Sequence, residues 1–146
     1  MNTIRFYKPT EPYGEFSNFS DHPVKIDGKT WPTTEHYFQA QKFKDTQYEE
    51  KIRLLSSPME AMIAGQDKNK PLRKDWEQVK VDVMRTAIKA KFTQYDDLKQ
   101  LLKSTQTSFL VEHTSNDSYW ADGGNGRGRN MLGQILMEVR QQLDSI

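Results

Sequence analysis

Between Asp75 and Tyr95 the chain reads DWEQVKVDVMRTAIKAKFTQY, a run without glycine or proline in which Trp76, Val79, Val83, Met84, Ala87 and Ile88 recur at steps of three and four residues. That spacing gathers the apolar side chains on one face and predicts a long amphipathic helix, opened by Asp75, whose apolar stripe other elements must cover. The covers come in short pieces. Ile4 to Tyr7 reads as a strand, after which Pro9, Pro12 and Gly14 break the chain into a loop carrying Glu15-Phe16-Ser17-Asn18-Phe19. Val24-Lys25-Ile26 and Lys29-Thr30-Trp31 flank Asp27-Gly28, a dipeptide that tolerates the positive φ of a two-residue hairpin turn, and Pro32 ends the second strand. Thr33 or Thr34 then caps a helix with Glu35 in its first turn.

Further helices are expected from Gln47 to Leu55, from the capping box Ser57-Pro58-Met59-Glu60 to Gly65, around Leu98, Leu101 and Leu102, and at the C-terminus on Leu132, Ile135, Leu136, Val139 and Leu143. Phe109 to Val111 reads as a short strand, and Thr114 to Asn130 as a long loop with four glycines. Strands and helices do not alternate regularly, so the expected class is α+β: a single compact, predominantly helical domain over residues 1–146 with a few short strands including the Asp-Gly hairpin.

Composition removes several kinds of chemistry. The 146 residues include no cysteine, which excludes disulfides, thiolate nucleophiles and cysteine-ligated metals. His22, His36 and His113 lack the spacing of a zinc helix, so no metal and no cofactor is expected. A net charge of +1 argues against a broad nucleic-acid footprint. The N-terminus has no apolar segment of signal-peptide length, and no apolar run is long enough to span a bilayer, so a cytoplasmic protein without a membrane partner is expected; the oligomeric state is open.

What remains is carboxylate chemistry. On a helix, Glu35, Gln39 and Lys42 share one side while His36, Ala40 and Phe43 share an adjacent apolar stripe. The ladder is either a solvated face or one wall of a pocket; Trp31, Tyr37 and Phe38 beside it favour a partly dry setting that stacks a planar ring. The second constellation is YWADGGNGRGRN, Tyr119 to Asn130. It offers a stacking ring in Trp120, an acid in Asp122, pliable backbone at Gly123 and Gly124, and guanidiniums at Arg127 and Arg129 before a helix N-terminus, a combination suited to phosphate. Its spacing is neither a P-loop nor a dinucleotide fingerprint, and a plain flexible loop is the alternative. Lys68, Lys70, Arg73 and Lys74 form a basic loop, read either as solvated charge or as a phosphate contact.

Five blocks, FYKPTEPYGEFSNF, DGKTWPTTEHYFQAQKF, KPLRKDW, LVEHTSNDSYWADGGNGRGRN and LGQILMEV, together resemble the NADAR family over nearly the whole chain. The resemblance is greatest to bacterial members that hydrolyse early riboflavin-pathway intermediates and are also linked to swarming motility. It implies an N-glycosidase cleaving the C1′–N bond of 5-amino-6-ribosylaminopyrimidine 5′-phosphates, with ribose 5-phosphate released. Other members resemble enzymes that remove ADP-ribose from guanine in DNA, and a non-catalytic nucleotide- or ADP-ribose-binding module is a third reading. Carried onto this chain, the resemblance implies Glu35 and Asp122 as the acids and Lys42 as anchor, ion-pair partner or amine nucleophile. It further implies Phe19 or Trp120 stacking on the pyrimidine, Asn18 bonded to it or to the ribose, and Arg73, Arg127 and Arg129 at the 5′-phosphate; Gln39, Lys70, Gly123 and Gly124 complete the expected substrate-binding set. Ala121 stands where many members carry glycine, and its Cβ narrows the backbone choices of that loop.

Overall fold

The structure, a computed structural model, describes residues 2–143. The ends of the expected 1–146 domain, residue 1 and residues 144–146, lie outside the described residues. The described elements are β1 (Thr3–Phe6), β2 (Val24–Ile26), β3 (Lys29–Trp31), α1 (Thr34–Gln41), α2 (Gln47–Arg53), α3 (Pro58–Gly65), α4 (Trp76–Gln94), α5 (Asp96–Ser104), β4 (Phe109–Glu112) and α6 (Met131–Leu143), with a 3-10 turn at Gly14–Phe16. The class is α+β and helix dominates. The fold resolves into two compact units: residues 1–20 with 92–146, and residues 21–91.

In the first unit β1 and β4 pair in parallel, with Ile4 opposite Leu110. The sequence signals the two strands but not their pairing, since parallel partners far apart in the chain share no turn residue. β1 lies one residue earlier than expected, because Phe6 is its last paired residue and Tyr7 is already outside. Leu110, Leu132, Ile135, Leu136, Val139 and Leu143 are buried, so the predicted stripe of α6 faces its core. Phe16 is fully buried, with its ring 5.6 Å from Phe6 and 5.8 Å from Phe92. The aromatic loop after the prolines is therefore core in part.

In the second unit β2 and β3 form the expected hairpin. Asp27 (φ 54°) and Gly28 (φ 76°) both adopt the left-handed backbone that its turn requires. Thr33 caps α1 by accepting the His36 amide at 3.1 Å, and Ser57 caps α3 by accepting the Glu60 amide at 3.1 Å, with Pro58 at the first helical position. α2 ends at Arg53, short of the expected Leu55, with Leu54 as its C-cap. Trp31, Tyr37, Ala40, Phe43, Ile52, Ala61 and Ala87 form the core cluster with the hairpin residues Val24 and Ile26. Trp76, Met84, Ala87 and Ile88 on α4 are buried as their spacing requires.

Among the described residues no helix is long and apolar enough to cross a membrane.

Candidate functional site

Every residue of α1 is buried. A solvated polar face would leave Glu35 and Gln39 in water; instead they are 7% and 6% exposed. Burying a carboxylate is unfavourable unless it is hydrogen-bonded. Gln39 Nε2 supplies such a bond, donating to Glu35 Oε2 at 2.8 Å across one helical turn. The other amide atom, Gln39 Oε1, is buried without a hydrogen-bond partner among the described residues. It lies against Gly65, the last residue of α3, where an ideal Cβ would stand 1.9 Å away. Only a residue without a side chain lets the carboxamide sit there.

One turn further along, the half-buried Lys42 donates from Nζ to the Gly65 carbonyl at 3.2 Å. The same nitrogen lies 5.9 Å from the centre of the Trp76 ring, which packs edge-on against Phe38. Burial pushes the Lys42 ammonium below the ordinary lysine range, and the negative charge of Glu35 pulls it back up. Lys42, Gly65, Asp67, Lys68, Lys70 and Trp76 are among the residues lining a cleft of about 230 Å³. Lys70 Nζ lies 5.0 Å over the Tyr48 ring, whose hydroxyl donates to the Ala64 carbonyl at 2.9 Å. Arg73 is differently engaged. Its guanidinium forks onto Asp75 at 2.7 and 3.1 Å, and its amide donates to the Lys42 carbonyl at 2.9 Å. Asp75 opens α4 with its carbonyl, which accepts the Gln78 and Val79 amides.

The first unit holds the glycine-rich loop. Asp122 is 3% exposed and both of its oxygens are occupied. Oδ2 takes His113 Nδ1 at 2.7 Å, while Oδ1 accepts the Gly124 amide at 2.8 Å and the Thr114 amide at 3.2 Å. Burial raises the Asp122 pKa, but these three donors outweigh it and hold the carboxyl below the ordinary range. The aspartate is therefore an anion that organises its loop and has no proton to give. Asp117 does similar work, its Oδ1 accepting the Tyr119 and Trp120 amides at 2.8 Å each. Arg129 lies 5.0 Å over the Tyr119 ring, and Arg127 is exposed. Asn18 is buried, Phe19 and Trp120 are half-buried, and the Phe19 amide donates to Ser17 Oγ at 3.1 Å. Ala121, the residue in place of glycine, is fully buried at negative φ, so its Cβ strains nothing.

The second unit thus gathers Glu35, Gln39, Lys42 and Lys70, with Arg73 behind Lys42, while Asn18, Phe19, Trp120, Asp122, Gly123, Gly124, Arg127 and Arg129 belong to the first. Sequence reasoning missed Gly65, Tyr48, His113 and Asp117. Asp117 had a local signal, an aspartate two and three residues before the amides it accepts. Gly65 and His113 meet their partners only through the fold.

The model of the NADAR domain matches residues 5–144. The chain belongs to the NADAR family. The N-glycosidase YbiA of Escherichia coli (strain K12) is 59% identical over 140 residues, which cover 96% of this chain and 88% of that protein. A riboflavin biosynthesis protein of Vibrio vulnificus (strain YJ016) is 40% identical over 96% of this chain, a span equal to 38% of its own length. The NMR structure of E. coli YbiA superposes with a TM-score of 0.92 at 58% identity, covering 99% of this chain and 86% of that one.

Proposed function

We propose that this NADAR protein hydrolyses the C1′–N bond of 5-amino-6-ribosylaminopyrimidine 5′-phosphates, intermediates of riboflavin biosynthesis, releasing ribose 5-phosphate and the aminopyrimidine. That the chain is an enzyme, a hydrolase of N-glycosyl bonds, follows from its kinship with proteins named N-glycosidase; the choice of substrate is the proposal. The observation that carries it is the buried Glu35–Gln39 pair on a helix whose next turn presents Lys42 at a cleft with an indole wall. The riboflavin-related name of a relative supports the same choice.

As the C1′–N bond lengthens, positive charge grows on C1′ and its ring oxygen. A carboxylate held out of bulk water stabilises that charge more strongly than one in water. Glu35 fills this role: Gln39 fixes one of its oxygens and burial removes the screening. A water delivered to C1′ gives ribose 5-phosphate, and the departing nitrogen takes up a proton. Lys42, whose ammonium burial holds below the ordinary lysine range while Glu35 draws it back up, is assigned to anchoring the substrate at the cleft. Asp122, fixed as an anion, is assigned to ordering the glycine-rich loop and orienting His113.

The test is incubation of purified protein with freshly prepared pyrimidine riboside phosphates and measurement of ribose 5-phosphate. Wild type should release it and Glu35→Gln should lose activity by about two orders of magnitude or more. Release by the wild type no faster than by Glu35→Gln would remove the reading.

A further inference from the structure

The sequence offers the substrate phosphate two places, the glycine-rich loop and the basic loop of Lys68, Lys70 and Arg73; in the structure six amides in and after the glycine-rich loop have other partners. The Gly123 amide donates to the Asp117 carbonyl at 2.9 Å, Gly124 to Asp122 Oδ1 at 2.8 Å, Arg127 to Asn125 Oδ1 at 2.9 Å and Gly128 to the Asp122 carbonyl at 2.8 Å. At the start of α6, the Met131 and Leu132 amides donate to the Tyr119 and Trp120 carbonyls at 3.0 Å each. An anion cradle needs amides that converge on empty space. Here they close the loop on itself.

The cleft at the end of α3 has the opposite character. Three lysines, Lys42, Lys68 and Lys70, line it against one acid, Asp67, whose Oδ1 already accepts the Asn69 amide at 2.9 Å. Lys68 is exposed, Lys70 is steadied over the Tyr48 ring, and neither makes an ion pair among the described residues. Lys42 is fixed at the floor by the Gly65 carbonyl. Glu35 lies seven residues before Lys42, about 10 Å of helical rise at 1.5 Å per residue, with Gln39 between them. Charge and placement are therefore both in order for a sugar phosphate lying along α1.

The geometry points to this cleft as the 5′-phosphate subsite, with Lys68 and Lys70 gripping the phosphate over the Lys42 floor and Trp76 as a wall. The assignment rests on the proposed substrate and specifies which end of it lies where. A phosphate dianion offers acceptors to several ammonium groups at once, and charge-assisted hydrogen bonds are stronger than neutral ones. The two loop lysines thus select for phosphorylated ribosides, whereas Glu35 acts on any riboside that reaches it.

The experiment compares the 5′-phosphorylated riboside with its dephosphorylated counterpart on wild type, on the Lys68→Ala/Lys70→Ala double variant and on Arg127→Ala/Arg129→Ala. The lysine variant should lose about tenfold or more in kcat/KM on the phosphorylated substrate and nothing on the dephosphorylated one. Equal losses on both substrates, or a phosphate-specific loss confined to the arginine variant, would overturn the assignment. If neither riboside is cleaved by wild type, the substrate reading fails by itself, and the cleft is then tested by titrating ribose 5-phosphate and following the Gly65 amide and the Trp76 indole by NMR. Shifts there that vanish in the lysine variant support the subsite; shifts confined to the amides of Gly123 to Arg129 refute it.

Discussion

Replacing Gly65 with alanine adds one methyl group at the point where α3 backs the buried carboxamide. Its Cβ would stand 1.9 Å from Gln39 Oε1 and 2.6 Å from Gln39 Cδ, so the amide has to swing away. Gly65 closes a helix at ordinary negative φ, so alanine fits the backbone and gains up to about 1 kcal/mol of helix propensity over glycine. Against that gain stands the 2.8 Å bond from Gln39 to Glu35. Hydrogen bonds to charged groups contribute about 1.5–3 kcal/mol. The difference predicts a net destabilisation of about 0.5–2 kcal/mol, measurable as a lower urea midpoint at unchanged m-value. The larger effect should be kinetic, because Glu35 loses the partner that fixes its oxygen. A fall in kcat of about tenfold with KM nearly constant is expected from misplacing a catalytic group without touching substrate binding. In a Gln39→Ala background the nearest remaining Gln39 atom is Cβ, 3.0 Å from the new methyl, and the Gly65 substitution should then cost much less. Wild-type midpoint and kcat in Gly65→Ala, or an equal cost with and without the Gln39 side chain, would refute the arrangement.

Asp122→Asn should cost about 2 kcal/mol in thermal unfolding, since a neutral amide replaces an anion that accepts three hydrogen bonds. It should also reverse the neutral His113 tautomer from Nδ1–H to Nε2–H, because the asparagine presents a donor to Nδ1; imidazole nitrogen shifts report this directly, and an unchanged tautomer would contradict the assigned bond. Gly128→Ala places a methyl 2.5 Å from the Asp122 carbonyl carbon and 2.6 Å from the Ala121 oxygen. These are backbone atoms that cannot rotate aside, so a loss of about 3 kcal/mol is expected, and a wild-type Tm would count against the loop geometry. His36 should give an acid-sensitive step in stability. Its Nδ1 meets Thr33 Oγ1 at 2.8 Å and its Nε2 the Leu55 carbonyl at 3.0 Å, a set that satisfies the neutral ring. Burial lowers its pKa from 6.5, with the Leu55 carbonyl and Glu60 opposing. The unfolded chain therefore binds more protons just below pH 6.5, so this contribution is complete above that value and is lost as pH falls towards the folded pKa. Urea midpoints between pH 7 and 5 should fall less steeply in His36→Gln.

The second unit was largely legible because its signals are local. Asp27-Gly28, Thr33 and the Ser57-Pro58-Met59-Glu60 box each specify a turn or cap within four residues, and each forms. The α1 stripe of His36, Ala40 and Phe43 is buried as its period requires. What periodicity could not give is the fate of the polar ladder. Glu35 and Gln39 would look the same on a solvated helix; the packing of α2 and α3 against α1 decides that it is enclosed, and α3 lies well beyond the reach of a local pattern. The parallel pairing of β1 with β4 escaped for the same reason.

The glycine-rich loop shows how far a local rule reaches. Glycines before a helix N-terminus suggest free amides, yet the count of donors says nothing until the acceptors are placed. Asp117, Asp122 and Asn125 lie within a few residues of the amides they engage, and short side chains with carboxylate or carboxamide oxygens satisfy nearby backbone in preference to an external anion. A loop rich in both glycine and Asp/Asn thus closes on itself. The segment from Gln66 to Lys74 differs in having lysines as its main charge and a single aspartate. Lysine has no acceptor with which to satisfy its own backbone, so it cannot close a loop on itself as Asp and Asn do. The proposed phosphate subsite therefore rests on the lysines of this segment and not on the number of glycines elsewhere.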